Sequence, residues 1–286
     1  MPDVPSTRPP APPPAVPSAW AVLQRVLARG ETIRLLTRSQ LAAGHRDKLL
    51  GHLWSLLDPL ASLAVYYLVF GIGFRQAGSS PRTFVLHLFL GIVVWRFVSE
   101  SIGQATGCLR SQRGLVLAAD FPKAVIPISI CLARLYDLLW GLVVVAVAAG
   151  LLGLRFSGEL LWLPALLSLA FAMTLGISFL VARLGLFFGD TANVVGAGLR
   201  LWVLLSPIFY FARSEHGHTG IIPPGLLDYY MLNPIAGLLG AFRSALIWHE
   251  APRADDLGTV ALFAAAALIA GFVIFARGEG RYAKYV

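Results

Sequence analysis

The chain has 286 residues, 57% of them hydrophobic and only 13% charged, with a formal net charge of +8. Soluble domains run about 45 to 50% apolar and about 25% charged, so the composition excludes an ordinary soluble domain and indicates an all-α integral membrane protein. In such a chain the basic excess marks the residues kept on one side of the bilayer rather than a nucleic-acid surface.

The first seventeen residues hold eight prolines, a composition that favours an extended arm without a core, and residues 1–18 are read as disordered. From Trp20 the pattern changes. Arg25 and Arg29, then Arg34 and Arg38, recur at four-residue spacing against Val22, Leu23, Val26, Leu27, Ile33 and Leu36. This predicts an amphipathic interfacial helix over 19–48, with a break at Gly30.

A spanning helix needs about 20 mainly apolar residues, and the remainder, 49–286, supplies six stretches: 53–74, 83–105, 124–154, 160–182, 191–212 and 257–276. Six spans put both termini on one side. Thirteen basic residues fall on that side, among them Arg46, Lys48, Arg110, Arg113, Lys123 and Arg277, against six on the other. The positive-inside rule therefore assigns the termini to the cytoplasm. The outer connection before the last span is too apolar for a solvated loop. Asn233 and Pro234 make a helix start there, and 221–248 is read as a re-entrant segment because its helix is short for a span.

Charges inside a bilayer need a reason. Arg96 and Glu100 are four apart and Arg134 and Asp137 three apart, so each pair can neutralise itself on one helical face. Two readings stand: structural ion pairs near span ends, or the mouth of a polar pathway. Tyr66, Tyr67, Phe209 and Tyr210 are likewise either part of the interfacial aromatic belt or rings on which sugars could stack.

Enzyme signatures are missing. None of the three lysines, Lys48, Lys123 and Lys284, sits in a Walker A loop, and there is neither HExxH nor GxSxG. His216 and His218 read as a polar loop, and Cys108 and Cys131 lack ligand spacing. Between the second and third spans, RSQRGLVLAADFPKAVIP at 110–127 is a basic, amphipathic cytosolic connection. It is either a loop held on lipid headgroups or a contact for a partner.

Several stretches together resemble the membrane subunit of polysaccharide ABC exporters of the ABC-2 family: KLLGHLWSLLDPLASLAVYYLVF (48–70), GIVVWRFVSESI (91–102), DFPKAVIPI (120–128), FFGDTANVV (187–195), LLSPIFY (204–210) and MLNPIAGLLGAFRSAL (231–246). The resemblance covers residue 37 to the C-terminus and lies in order and spacing. HRDKLL before Gly51 departs from the family's usual basic-tyrosine-basic sequence.

The resemblance implies a homodimeric, multi-pass permease of the bacterial cytoplasmic membrane, moving a lipid-linked polysaccharide and not itself an enzyme. ATP and Mg would be held by a separate ATP-binding cassette subunit, with no cofactor in this chain. A coupling segment over 109–123 would dock there through Arg110, Arg113, Leu115 and Leu117, with Phe121 and Pro122 fixing the turn back into the membrane. Arg34, Arg38, Arg46 and Lys48 would meet the lipid pyrophosphate. An ABC-2 exporter of a drug or lipid, or a membrane-bound glycosyl- or acyltransferase, are the alternatives.

Overall fold

A computed structural model describes residues 18–45, 53–73, 81–118, 121–153, 157–214 and 216–286. The proline-rich arm, apart from Ser18, and the predicted site residues Arg46 and Lys48 lie outside these. Ser18 starts the first helix: its hydroxyl accepts the Ala21 N–H at 3.2 Å, satisfying one of the donors a helix N-terminus leaves open. Helix α1 (Ala19–Leu27) turns Val22 and Val26 inward, and α2 (Gly30–His45) follows after a break at Ala28 and Arg29, beside the predicted Gly30.

Helix α3 (Leu53–Tyr66) runs on as a π-helical turn, Tyr67–Gly73, in the place of the first predicted span. Then come α4 (Pro81–Ser111), the short α5 (Arg113–Leu117), α6 (Val125–Leu151), a 3₁₀ turn at Gly158–Trp162 leading into α7 (Leu163–Phe187), and α8 (Thr191–Leu204). Helix α9 (Pro224–Tyr230) precedes α10 (Pro234–Arg243), which ends in a π turn, Ser244–Trp248. Helix α11 (Ala254–Gly278) closes the order with a 3₁₀ turn, Glu279–Lys284. No strand forms among the described residues.

Four of the described helices, α4, α6, α7 and α11, are long and apolar enough to cross a bilayer. The α9–α10 pair qualifies jointly but is bent by 101°. Such a bend belongs to a broken span or to a re-entrant loop, and the cap of α10 is the predicted one: the Asn233 side chain accepts the Ile235 N–H at 3.1 Å, with Pro234 opening the helix.

The predicted span 191–212 is shorter than expected. Helix α8 has 14 residues, about 21 Å at ~1.5 Å per residue, against a hydrocarbon core of about 30 Å. The cause is Pro207, which lacks an N–H and biases Ser206 away from helical backbone. The second span, by contrast, runs past its predicted end, so Leu109 and Arg110 belong to α4 and not to a separate coupling helix.

Helix α4 is the axis of the fold. Leu86, Leu88, Leu90, Val94 and Val98 are fully buried along it, enclosed by α3, α6, α7, α8 and α10. Helix α7 packs on α4 and α11, and this second contact is backbone to backbone. A Cβ at Gly271 would run into the Gly176 carbonyl oxygen, and one at Gly176 into the backbone of Ala267. Close approach through small residues is the usual way helices associate where solvent gives no hydrophobic drive. The outward faces of α6 and α11 stay apolar, with Val143, Val147, Leu262 and Ile269 exposed.

Candidate functional site: an intramembrane ion cluster and a basic groove

The two predicted ion pairs meet. Arg96 donates to Glu100 Oε1 from Nε (3.1 Å) and Nη2 (3.0 Å) along α4, and Arg134 on α6 donates from Nη1 to Glu100 Oε2 (3.2 Å) and to Asp137 Oδ2 (2.8 Å). The result is one neutral cluster of two cations and two anions joining α4 to α6. Arg134 is 12% exposed and the other three about a quarter to a third. Arg96 lies midway along α4, about 22 Å from either end at ~1.5 Å per residue.

Of the predicted aromatics, Tyr66 packs against the buried Phe209 at 4.4 Å between centroids, and Tyr67 lies 6.5 Å from Phe84. Tyr210 shares a 2.9 Å hydrogen bond with the hydroxyl of Tyr230 and donates to the Leu204 carbonyl at the end of α8. Three of the four rings, Tyr66, Phe209 and Tyr210, therefore sit in packing or hydrogen-bond contacts beside the broken end of α8.

Helix α2 runs along α6, level with Arg134 and Asp137, and leaves a groove of about 390 Å³. Its wall is Ile33, Leu41, Leu132, Leu135 and Leu139 with Tyr136, and the predicted Arg34 and Arg38 supply its charges. No acidic side chain lines it. An apolar trough edged by two guanidinium groups fits an amphiphile with an anionic head.

The predicted coupling residues divide. Arg113 and Leu117 are exposed, Leu117 to 49%, whereas Val116 is fully buried and Leu115 packs partly on the core. Phe121 is half-buried and Pro122 buried in the turn into α6. Arg110, expected on the partner surface, donates to the Leu186 carbonyl at 2.9 Å and so caps the end of α7.

The sequence reading missed a junction beside this turn. Glu279, 4% exposed, accepts the backbone N–H of Lys123 at 2.5 Å and pairs with Arg25 of α1 at 3.5 Å. The fully buried Tyr282 meets Phe275 and Phe187 edge-on and donates to the Phe275 carbonyl at 2.6 Å. The signal in the sequence is a lone carboxylate among terminal basic residues, and a count of basic residues passes over it. Arg243 was missed in the same way, although an arginine inside an apolar run is itself a signal.

At the opposite end, Arg213 makes a bidentate pair with Asp256 (2.7 and 3.0 Å) and His216 contacts Glu250 at 3.1 Å. His218 stacks on Phe211 at 4.1 Å, and burial, then His216 nearby, lowers its imidazole below the ordinary range. No group of acidic, His and Cys residues there or elsewhere among the described residues could hold a metal.

A helical bundle with lipid-facing apolar helices, a broken helix pair and charges paired at its centre is the architecture of a multi-pass membrane permease. Residues 31–247 match the profile of the ABC-2 type transporter, and the chain belongs to that family. It is similar to the O-antigen export system permease protein RfbA of Myxococcus xanthus, 25% identical over 261 residues that cover 90% of this chain and 96% of that protein. Two O-antigen export system permease proteins RfbA of Klebsiella pneumoniae are each 24% identical, over 251 residues (87% of this chain, 93% of the relative) and 210 residues (73% and 77%).

Proposed function

We propose that the chain is the permease subunit of an ATP-driven exporter that moves a lipid-linked polysaccharide of the O-antigen type across the bacterial cytoplasmic membrane. It works as a homodimer of six-span subunits with both termini in the cytoplasm. ATP and Mg are held by a separate ATP-binding cassette subunit, and this chain carries no cofactor of its own.

The observation that carries this reading is the α2–α6 groove. A lipid-linked glycan has an apolar tail joined to sugars through phosphate. The leucine wall takes the tail, and Arg34 and Arg38 meet the phosphates, joined by Arg46 and Lys48. The polymer then passes the Arg96–Glu100–Arg134–Asp137 cluster, whose donors and acceptors suit sugar hydroxyls, while Tyr66, Tyr67 and Tyr210 line the way toward the outer face and Phe209 backs Tyr66 from the core. The outward side of α5, with Arg113 and Leu117, is the coupling contact to the ATPase, held in place by Leu115, Phe121 and Pro122 and by the cap Arg110 makes on α7. The alignment with O-antigen permeases along nine tenths of the chain supports the glycan over a drug as cargo.

The test is the double variant Arg34→Gln/Arg38→Gln in a cell lacking the native gene. Surface polymer should fall at least about tenfold, two charge-assisted hydrogen bonds being lost, and lipid-linked polymer should accumulate inside, with permease level and ATPase association unchanged. Unaltered export would refute the assignment of the groove.

A further inference from the structure

The groove between α2 and α6 is anchored from one end. None of the described side chains of α2 is buried, and Ile33 and Leu41 face Leu132, Leu135 and Leu139 across the open space. Helix α1 is held more firmly, with Val22 fully buried and Val26 nearly so where the helix meets α11. Segments with few buried apolar contacts open before those with many, so α1 is the anchor and α2 the part that can lift. Between them the chain turns at Ala28 and Arg29, and Gly30, the first residue of α2, already lines the groove.

The anchor has a polar half that is only partly closed. Glu279, in the turn after α11, accepts the Lys123 N–H through Oε1. Its Oε2 is buried and accepts no hydrogen bond among the described residues, and Arg25 Nη2 stands 3.5 Å from it. Arg25 lies in the last turn of α1, three residues before the break, and is 45% exposed. A guanidinium half in water exchanges a carboxylate for solvent at little cost, so this contact can open while the two valines keep α1 in place. Lys123 lies in the turn between α5 and α6, so a displacement of α5 reaches Glu279 through one backbone hydrogen bond.

We infer that the Arg25–Glu279 contact is a clasp that controls access to the basic groove. Closed, it pins the last turn of α1 and with it the Gly30 end of α2. Open, it lets α2 pivot at Ala28 and Arg29, as hinges at element ends do, and the groove widens for an amphiphile with a phosphate head. Such a clasp presupposes that the groove takes the lipid-linked substrate, and it places substrate entry under the turn that the ATP-binding subunit moves.

The full chain in a neutral maltoside detergent is mixed by stopped flow with decyl phosphate carrying a dansyl group, whose emission reports association. Arg34→Gln/Arg38→Gln defines the part of the signal that belongs to the groove. Arg25→Gln, at a half-exposed position, should raise the groove-dependent association rate about 1.5- to 5-fold, the factor by which loss of an exposed ion pair shifts an opening equilibrium. Loss of a cation by itself would slow an anionic probe through weaker steering, so the sign of the change separates a clasp from a charge effect. A groove-dependent rate that is unchanged or lower in Arg25→Gln overturns the clasp and leaves the groove standing. A parent signal that is absent, or that survives Arg34→Gln/Arg38→Gln intact, removes the groove and the clasp together.

Discussion

Glu100 is the carboxylate on which the central cluster depends, because it contacts both Arg96 and Arg134. Replacing it with Gln keeps the shape, removes the carboxylate charge that both guanidinium groups share and leaves Asp137 paired with Arg134. Removing one partner of a fully buried pair costs about 3 to 5 kcal/mol, and an exposed pair is worth about 0.2 to 1 kcal/mol. With Arg134 12% exposed and Glu100 32% exposed, the cost falls between these limits, near ~2 kcal/mol. For a chain of this size that corresponds to a fall of about 4 to 8 °C in midpoint. The double variant Arg96→Gln/Glu100→Gln restores neutrality through Arg134 and Asp137, so it should recover ~1 kcal/mol relative to the sum of the single changes. Thermal unfolding in detergent, followed by tryptophan fluorescence, reads both quantities. A Glu100→Gln midpoint within about 1 °C of the parent, or strict additivity in the double variant, would refute the cluster as a coupled unit.

On α5, Leu117→Glu should abolish co-purification with the ATP-binding subunit while leaving the unfolding midpoint within about 2 °C, because Leu117 is exposed. Leu115→Ala should instead cost ~1 to 2 kcal/mol without loss of association, and co-purification surviving Leu117→Glu would count against the docking face. Glu279→Gln should destabilise by ~1 to 3 kcal/mol and speed protease cleavage near Gly30 as α1 loosens, checked by limited proteolysis of the purified chain. A cleavage pattern identical to the parent would show that the carboxylate does not hold that helix.

The helical class and most of its punctuation were legible from residues whose physics is local. Asn233 followed by Pro234 specifies a helix start in any context, and the arginine face of α2 is visible at four-residue spacing. The two ion pairs could be read as pairs, because each is internal to one helix. That they share Glu100 could not, since it depends on the register of α4 against α6. The unwinding after Leu204 was signalled by Pro207, but apolar residues on both sides of it imitated a longer span. Arg243 enters the sequence reading only as one of the six basic residues on the outer side, and Glu279 not at all, because counting basic residues assigns them to a side and says nothing of depth. Their partners, the carbonyls of His87, Pro207 and Ile208 and the N–H of Lys123, belong to the backbone and leave no trace in the sequence.

The contact of Glu279 with Arg25 and Lys123 also sets an order of events during synthesis. Arg25 and the whole of α1 leave the ribosome long before Glu279 does, by an interval on the order of tens of seconds at ordinary elongation rates. Until then the inward face of α1, Val22 and Val26, has no completed socket, because α11 and the turn after it supply part of that packing. The first helix of this protein is therefore among the last to be seated, its inward face uncovered by α11 while the rest of the bundle is being made.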